Sequence, residues 1–239
     1  MSNEKCAPKI KIVKDGPYLV LGNIPMAKQT IIVDEEGRSV RWEQDDCYPE
    51  QEQYALCSCG HTSNSPYCDG THGKINYNGT ETAYKGNPLD KAQRTVGPDL
   101  ILADVQRLCA FARFCHRKEG GVWDLTENSN NPESRASAIQ AAWDCPAGRL
   151  IVSDKQTGQA IEPKYETSIG IIEDPHKKVS GPIWVRGSIP IESCDGSQYA
   201  VRNQLTLCRC GQSRNKPFCD GTHATKGYIA ITKDIITDN

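Results

Sequence analysis

Residues 57–72 read CSCGHTSNSPYCDGTH and residues 208–223 read CRCGQSRNKPFCDGTH, identical at ten of sixteen positions without a gap. Upstream of each window lies a second matched segment, GPYLVLGNIP at 16–25 and GPIWVRGSIP at 181–190, identical at six of ten. Two segments recurring in the same order mean a duplicated module. Gly16 lies 41 residues before Cys57, whereas Gly181 lies 27 before Cys208, so the first copy carries about 14 extra residues, placed around Ile31–Gln53.

Each upstream segment alternates between Gly-Pro and Ile-Pro boundaries and reads as a short strand. Ile31–Val33, Tyr54–Leu56 and Tyr199–Val201 read as further strands. Between the copies the texture changes. Leu100–Phe114 and Pro132–Trp143 read as helical. The second of these has Asn131 as N-cap, Pro132 at the first helical position, and Ala136, Ile139 and Trp143 on one face. Arg149–Asp154 and Gln159–Ile161 read as a hairpin, with linkers at Gly86–Pro98 and Glu162–Gly181. The expected fold class is α+β and β-rich. Two small β-modules, 10–86 and 178–239, flank an α+β module at 95–165. Each copy is too small to bury a good core alone, so the copies are expected to pair within one chain.

Twelve cysteines in 239 residues direct the chemistry. In a secreted chain they would form disulfides; in a reducing compartment such density is metal-binding or catalytic. Cys57 and Cys59 are two residues apart, as are Cys208 and Cys210, and such neighbours rarely bridge each other. The N-terminus lacks the apolar stretch of a signal peptide, and no run approaches the ~18 residues needed to span a bilayer. A cytoplasmic protein with no membrane partner is expected. A formal charge of −2 leaves no basic surplus for nucleic acid. The chain has no phosphate loop, G-x-G-x-x-G fingerprint or G-x-S-x-G elbow, so it is not expected to be an enzyme.

In an extended segment residues i and i+2 face the same side, so Cys57 and Cys59 can hold one ion together. Cys68 and His72 stand at i and i+4, and a helical turn starting at Asp69 would aim both at a second ion. The same holds for Cys208, Cys210, Cys219 and His223. Three thiolates and one imidazole suit zinc or iron–sulfur. The complete pattern C-x-C-x2-(S/T)-x3-P-x-C-D-G-x-H occurs in both copies. It resembles the signature of the CDGSH iron–sulfur family, the mitoNEET type. That resemblance implies a 2Fe–2S cluster on Cys57, Cys59, Cys68 and His72, and another on Cys208, Cys210, Cys219 and His223. It also implies that two copies make the stable unit.

Between the copies, Cys109-Ala-Phe-Ala-Arg-Phe-Cys115 and the later Cys145-Pro146 resemble the divergent single-cluster 4Fe–4S ferredoxin-like domains. Ala112 stands where a central cysteine would be. The resemblance implies a third cluster on Cys109, Cys115 and Cys145, either 3Fe–4S or 4Fe–4S with a non-cysteine fourth ligand, for which His116 is a candidate. Three buried free thiols are the alternative. Cys6, Cys47 and Cys194 fit no motif, although Cys47 or Cys194 could supply a fourth ligand. His61, which is Gln212 in the second copy, and His176 read as non-ligating.

The leading expectation is an electron-transfer or redox-sensing protein that meets a redox donor or acceptor protein. Cluster storage and delivery to an apo-acceptor protein is the alternative, followed by a zinc-stabilised interaction module. Residues 57–73 carry a charge of −1 and residues 208–224 a charge of +2, so the second site is expected to accept its electron first. One imidazole in place of a thiolate should set each potential between plant-type ferredoxins, about −400 mV, and Rieske centres, about −150 to +300 mV. Replacing His72 by Cys is expected to keep the cluster and lower its midpoint potential by tens of millivolts or more in an optical redox titration. A rise would contradict the ligand assignment.

Overall fold

The computed structural model describes residues 7–231, so Cys6 lies outside the described residues. The first third contains β1 (Lys9–Ile12), β2 (Tyr18–Leu21), β3 (Met26–Val33), β4 (Ser39–Cys47), β5 (Gln53–Leu56) and the one-turn helix α1 (Thr71–Lys74). The middle third follows with β6 (Gln93–Val96), β7 (Leu100–Asp104), β8 (His116–Arg117), β9 (Gly120–Gly121), α2 (Val122–Glu127), α3 (Pro132–Trp143) and β10 (Leu150–Asp154). The last third contains β11 (Ser168–Asp174), β12 (Val179–Arg186), β13 (Ile191–Glu192), β14 (Gln204–Leu207) and the one-turn helix α4 (Thr222–Thr225). The chain is a β-rich α+β protein.

Two sheets are shared between the copies. One has the order β13-β1-β2-β5, with β13 running parallel to β1 and Ile191 opposite Ile10. The other has the order β14-β12-β11-β3-β4, joined by the parallel pairing of β11 with β3 from Ile169 opposite Met26 to Glu173 opposite Thr30. Without the other copy, β1, β3 and β11 would each be an open sheet edge. The extra residues of the first copy build the β3–β4 hairpin. The largest apolar cluster draws Ile10, Val20 and Leu56 from the first third, Val105 and Leu108 from the middle, and Ile169, Ile183 and Leu207 from the last.

The middle third has its own antiparallel sheet, β10-β7-β6, with α2 and α3 packed against it. Asn131 caps α3 by accepting hydrogen bonds from the backbone N–H of Glu133 at 2.9 Å and Ser134 at 3.1 Å. The face α3 buries is Ala138, Ala141 and Ala142, while Ala136 is exposed and Ile139 and Trp143 are half-buried. Small side chains let the helix sit close to β7 and β10, where Leu100, Leu102, Leu150 and Val152 complete the core.

Three other expectations are corrected. Leu100–Phe114 is not helical: it opens as β7, whose burial alternates, and continues through a 3-10 turn at Gln106–Leu108 into a loop. A short apolar run such as Leu-Ile-Leu-Ala fits helix and strand equally well until its neighbours are known. Tyr199–Val201 is not a strand; the pairing with β12 falls to β14, with Leu207 opposite Ile183. The expected linkers contain β6 and β11, which the surrounding sheets recruit. Among the described residues, no helix is long and apolar enough to cross a membrane.

A second cluster fastens the thirds together. Trp42 lies 4.8 Å from Phe114 and 4.8 Å from Trp184, measured between ring centroids, with Ile31, Ala112 and Ile172 around them. Trp42 Nε1 also donates to the Asp144 carbonyl at 3.0 Å. Truncating Trp184 to Ala is expected to cost about 3–5 kcal/mol in a denaturant titration. Because its neighbours come from all three thirds, every probe of unfolding should shift together. A loss confined to one third would show that the modules fold independently.

Candidate metal centres

In each copy the repeated window begins where a strand ends, β5 before Cys57 and β14 before Cys208. The window then folds back on that strand. Cys57 N–H donates to the Pro66 carbonyl at 2.9 Å and Cys68 N–H to the Ala55 carbonyl at 2.9 Å. The second copy repeats both bonds, Cys208 to Pro217 at 2.8 Å and Cys219 to Thr206 at 2.9 Å. Both prolines follow cis peptide bonds.

The remaining constant residues have local work. Thr62 Oγ1 donates to the Tyr67 carbonyl at 2.7 Å, and Ser213 Oγ to the Phe218 carbonyl at 2.7 Å. Asp69 accepts from the backbone N–H of Ser63 at 2.9 Å and Thr71 at 3.0 Å. Those bonds hold its carboxyl well below the usual carboxylate range. Asp220 accepts likewise from Arg214 at 2.9 Å and Thr222 at 3.0 Å. Burial pushes its pKa up, and the bonds outweigh it. Gly70 and Gly221 sit at φ 85° and 84°, a conformation open mainly to glycine, and the helical turn that carries the histidine starts one residue later.

This frame leaves four donors per copy in two pairs. Cys57 Sγ lies 3.6 Å from Cys59 Sγ, and Cys68 Sγ lies 3.3 Å from His72 Nδ1. In the second copy, Cys208 and Cys210 are 3.8 Å apart, and Cys219 and His223 Nδ1 are 3.3 Å apart. Two sulfurs bound about 2.3 Å from one tetrahedral metal stand about 3.8 Å apart. Each pair therefore has the separation of two ligands on a single ion. Among the described residues, no three His, Cys, Asp or Glu side chains converge where one ion could sit. The donor set fits a centre with two metal atoms, each taking one pair.

Proton affinity within the pairs follows from their contacts. Hydrogen bonding by its partner thiol pulls Cys57 down to about 6 and Cys210 down to about 7, while Cys59 and Cys208 are pushed up. Burial pushes Cys68 and Cys219 up and pulls the His223 imidazole down to about 4.

The two windows meet backbone to backbone. A Cβ on Gly60 would collide with the Cys210 carbonyl, and one on Gly211 with the Cys59 carbonyl. Tyr18, from the first copy, donates to the Cys208 carbonyl at 2.9 Å. Arg209 is buried between the copies, donating to Glu173 Oε1 at 2.7 Å and to Ser65 Oγ at 2.7 Å. Its charge is thus paired locally. The excess positive charge expected around the second site thereby loses Arg209, leaving exposed Arg214, which lies 3.8 Å from Asp220, and half-buried Lys216.

Two tyrosines escaped the sequence reading. Tyr77 and Tyr228 each stand five residues after the window's histidine and donate their backbone N–H to its carbonyl at 2.9 Å. Both rings lie within electrostatic reach of cysteines of both copies. The repeat continuing past His72 and His223 to a shared tyrosine was the available signal.

In the middle third, the segment after Leu108 alternates. Cys109, Phe111, Arg113 and Cys115 line a cavity of about 430 Å³, together with His116 and Arg149. Ala110, Ala112 and Phe114 point the other way and are buried in the core. Positive φ at Phe111 (57°) and Arg113 (66°) bends this loop around the cavity. Cys145 lies near enough to Cys109 and Cys115 to interact electrostatically, and burial pushes its thiol up to about 11. Arg149 is held by Asp104, at 2.5 Å and 2.7 Å, and stands beside Cys109. Two of the three predicted cysteines, Cys109 and Cys115, thus line this space beside the Arg149–Asp104 pair, while Cys145 lies near both without lining it. His116 is exposed and packs on Trp123 with ring centroids 5.6 Å apart. Cys47 and Cys194 are exposed and do not line this cavity, and His61 and His176 are exposed too.

A family model described as iron-binding zinc finger CDGSH type matches residues 15–73 and 180–224. One described as divergent 4Fe-4S mono-cluster matches residues 95–155. No curated protein and no solved structure matches the chain. The orientation of Ala112 yields a test: Ala112→Cys is expected to leave the iron content of the middle site unchanged, because the new thiol faces the core. Its cost should be about 1–3 kcal/mol of overpacking. Cys109→Ser, by contrast, should remove the middle site's signal from the electron paramagnetic resonance spectrum and spare the other two.

Proposed function

We propose that this chain, whose two copies match the CDGSH-type iron-binding family and flank a segment matching the divergent 4Fe–4S family, is a carrier of electrons between protein partners. In this reading it holds two 2Fe–2S clusters and a third of 3Fe–4S or 4Fe–4S type. The observation that carries it is the two-plus-two arrangement of donors. Each pair, Cys57 with Cys59 and Cys68 with His72, suits one iron of a two-iron core. A structural zinc ion would need all four donors around one point.

Such clusters supply one-electron chemistry when bound. The chain's own part is to place and insulate them. Gly60 and Gly211 bring the two windows into contact, and the Cys109 carbonyl lies over Gly221 of the second window. The order of contact is thus first copy, second copy, middle module. Redox sites in successive contact are what passing electrons from one partner to another needs. Exposed thiols at Cys47 and Cys194 suit a reducing cytoplasm.

One observation favours delivery of a cluster to an apo-acceptor protein as a second reading: the first copy's His72 and Cys68 are only half-buried. The deciding experiment is an absorption spectrum with iron and sulfide counts on the purified protein. The expected result is a coloured protein with about four irons from the paired sites and three or four more from the middle site. A colourless protein containing zinc would overturn the proposal.

A further inference from the structure

The two copies share a motif and differ in what lies over it. A Cβ built on Gly70 meets nothing within 4 Å. At the matching position, a Cβ on Gly221 would come within 3.0 Å of the Cys109 carbonyl oxygen and 3.6 Å of Phe111 Cβ. The loop from Cys109 to Arg113 therefore roofs the turn that carries His223, and among the described residues none comes within 4 Å of a Cβ built on Gly70 in the turn that carries His72. Exposure follows: His223 is 5% and Cys219 3% exposed, whereas His72 and Cys68 are half-buried and Gly70 is exposed. α4 also packs on β12, which covers its other side.

The roof is fastened. Arg113 Nη1 donates to Asp174 Oδ2 at 2.5 Å and Nη2 to Oδ1 at 3.2 Å, tying the loop to the end of β11. Both partners are shielded, and Arg113 also donates to the Phe111 carbonyl at 3.1 Å, which stiffens the span over Gly221. A bidentate pair of this kind is strong because two charged hydrogen bonds form in one plane, out of water.

We infer that the two CDGSH sites are unequal by construction. The first is the exchange site, where an acceptor's thiolates or a chelator reach the ligands, and the second is sealed under the middle module and keeps its cluster. This rests on reading both motifs as cluster sites. In the exchange, the two irons and their two bridging sulfides pass together from Cys57, Cys59, Cys68 and His72 to the acceptor's ligands with no change in oxidation state; a chelator takes the irons alone, the sulfides leave to solvent, and the freed thiolates take up protons. The same event at Cys219 and His223 first requires the Cys109–Arg113 loop to lift, and access that waits on local opening is slower.

The test uses the full-length protein, shown beforehand to contain iron and sulfide. It is incubated with excess EDTA, and freed cysteines are trapped at intervals with iodoacetamide and mapped by mass spectrometry. The map separates the three sites without mutation. Cys57, Cys59 and Cys68 should be freed at least about tenfold faster than Cys208, Cys210 and Cys219. Arg113→Ala should speed release at the second set and leave the first unchanged, while Arg113→Lys, which keeps one charged contact, should fall between. Equal rates for the two sets, or earlier release of the second, would overturn the inference while leaving the cluster assignment intact. A protein without iron and sulfide would overturn both.

Discussion

The parallel pairing of β3 with β11 is the contact from which the rest of the architecture follows. Five residue pairs, from Met26 opposite Ile169 to Thr30 opposite Glu173, join a strand of the first copy to the strand that leads into the second. Parallel neighbours cannot be joined by a tight turn, so a long crossover must connect them. Here that crossover contains the first metal-binding window and the whole middle module. The insertion is therefore part of the connection that the sheet requires, and it lies against the sheet it connects. Phe114 and Ala112 enter the cluster with Trp184 and Ile31, and Val105 and Leu108 enter the largest core.

A single crossover cannot be symmetric about two copies. The middle module covers the second window and leaves the first open, and this one-sidedness follows from the chain path. One buried guanidinium–carboxylate pair ties it to the neighbouring sheet, Arg113 with Asp174, and two more brace it internally, Arg149 with Asp104 and Arg117 with Asp144. Pairs of this kind gain little net stability over apolar packing, because both ions lose their hydration. Removing one partner strands a buried charge, at about 3–5 kcal/mol. They act as register marks, and Arg113 marks the position of the loop that roofs His223.

Legibility in the sequence divided along a physical line. The repeated window was readable because each constant residue serves its own turn: Thr62 and Ser213 bond a carbonyl five residues on, Asp69 and Asp220 gather backbone N–H groups, Gly70 and Gly221 take positive φ. The capped helix at Pro132–Trp143 was readable for the same reason, since Asn131 bonds within three residues. What depended on distant partners was not. Leu100–Asp104 becomes a strand because β6 and β10 lie beside it, and α3 turns its alanines inward to pack among the leucines and valine of β7 and β10. Ala112 occupies a ligand's place in the ferredoxin-like spacing. Only the alternation of the loop, with Cys109 and Cys115 to the cavity and Ala110 and Phe114 to the core, shows that its side chain could not reach a cluster there.

Having both copies in one chain also permits a contact that two identical chains could not make. Arg209 replaces Ser58 of the first copy, and Lys216 replaces Ser65. Arg209 reaches across the interface to Ser65 Oγ at 2.7 Å. In a symmetric pair of second copies, each buried arginine would face a lysine instead, and two like charges out of water repel strongly. In a symmetric pair of first copies, two serines would face each other with no charge to place. The asymmetric pair puts Arg209 opposite a serine and beside Glu173, which compensates it at 2.7 Å. Ser58, freed from that role, donates to the Gly16 carbonyl at 2.6 Å and tightens its own copy. Duplication within one chain thus lets the two windows keep the same four donors while one of them acquires a buried cation that neither could carry twice.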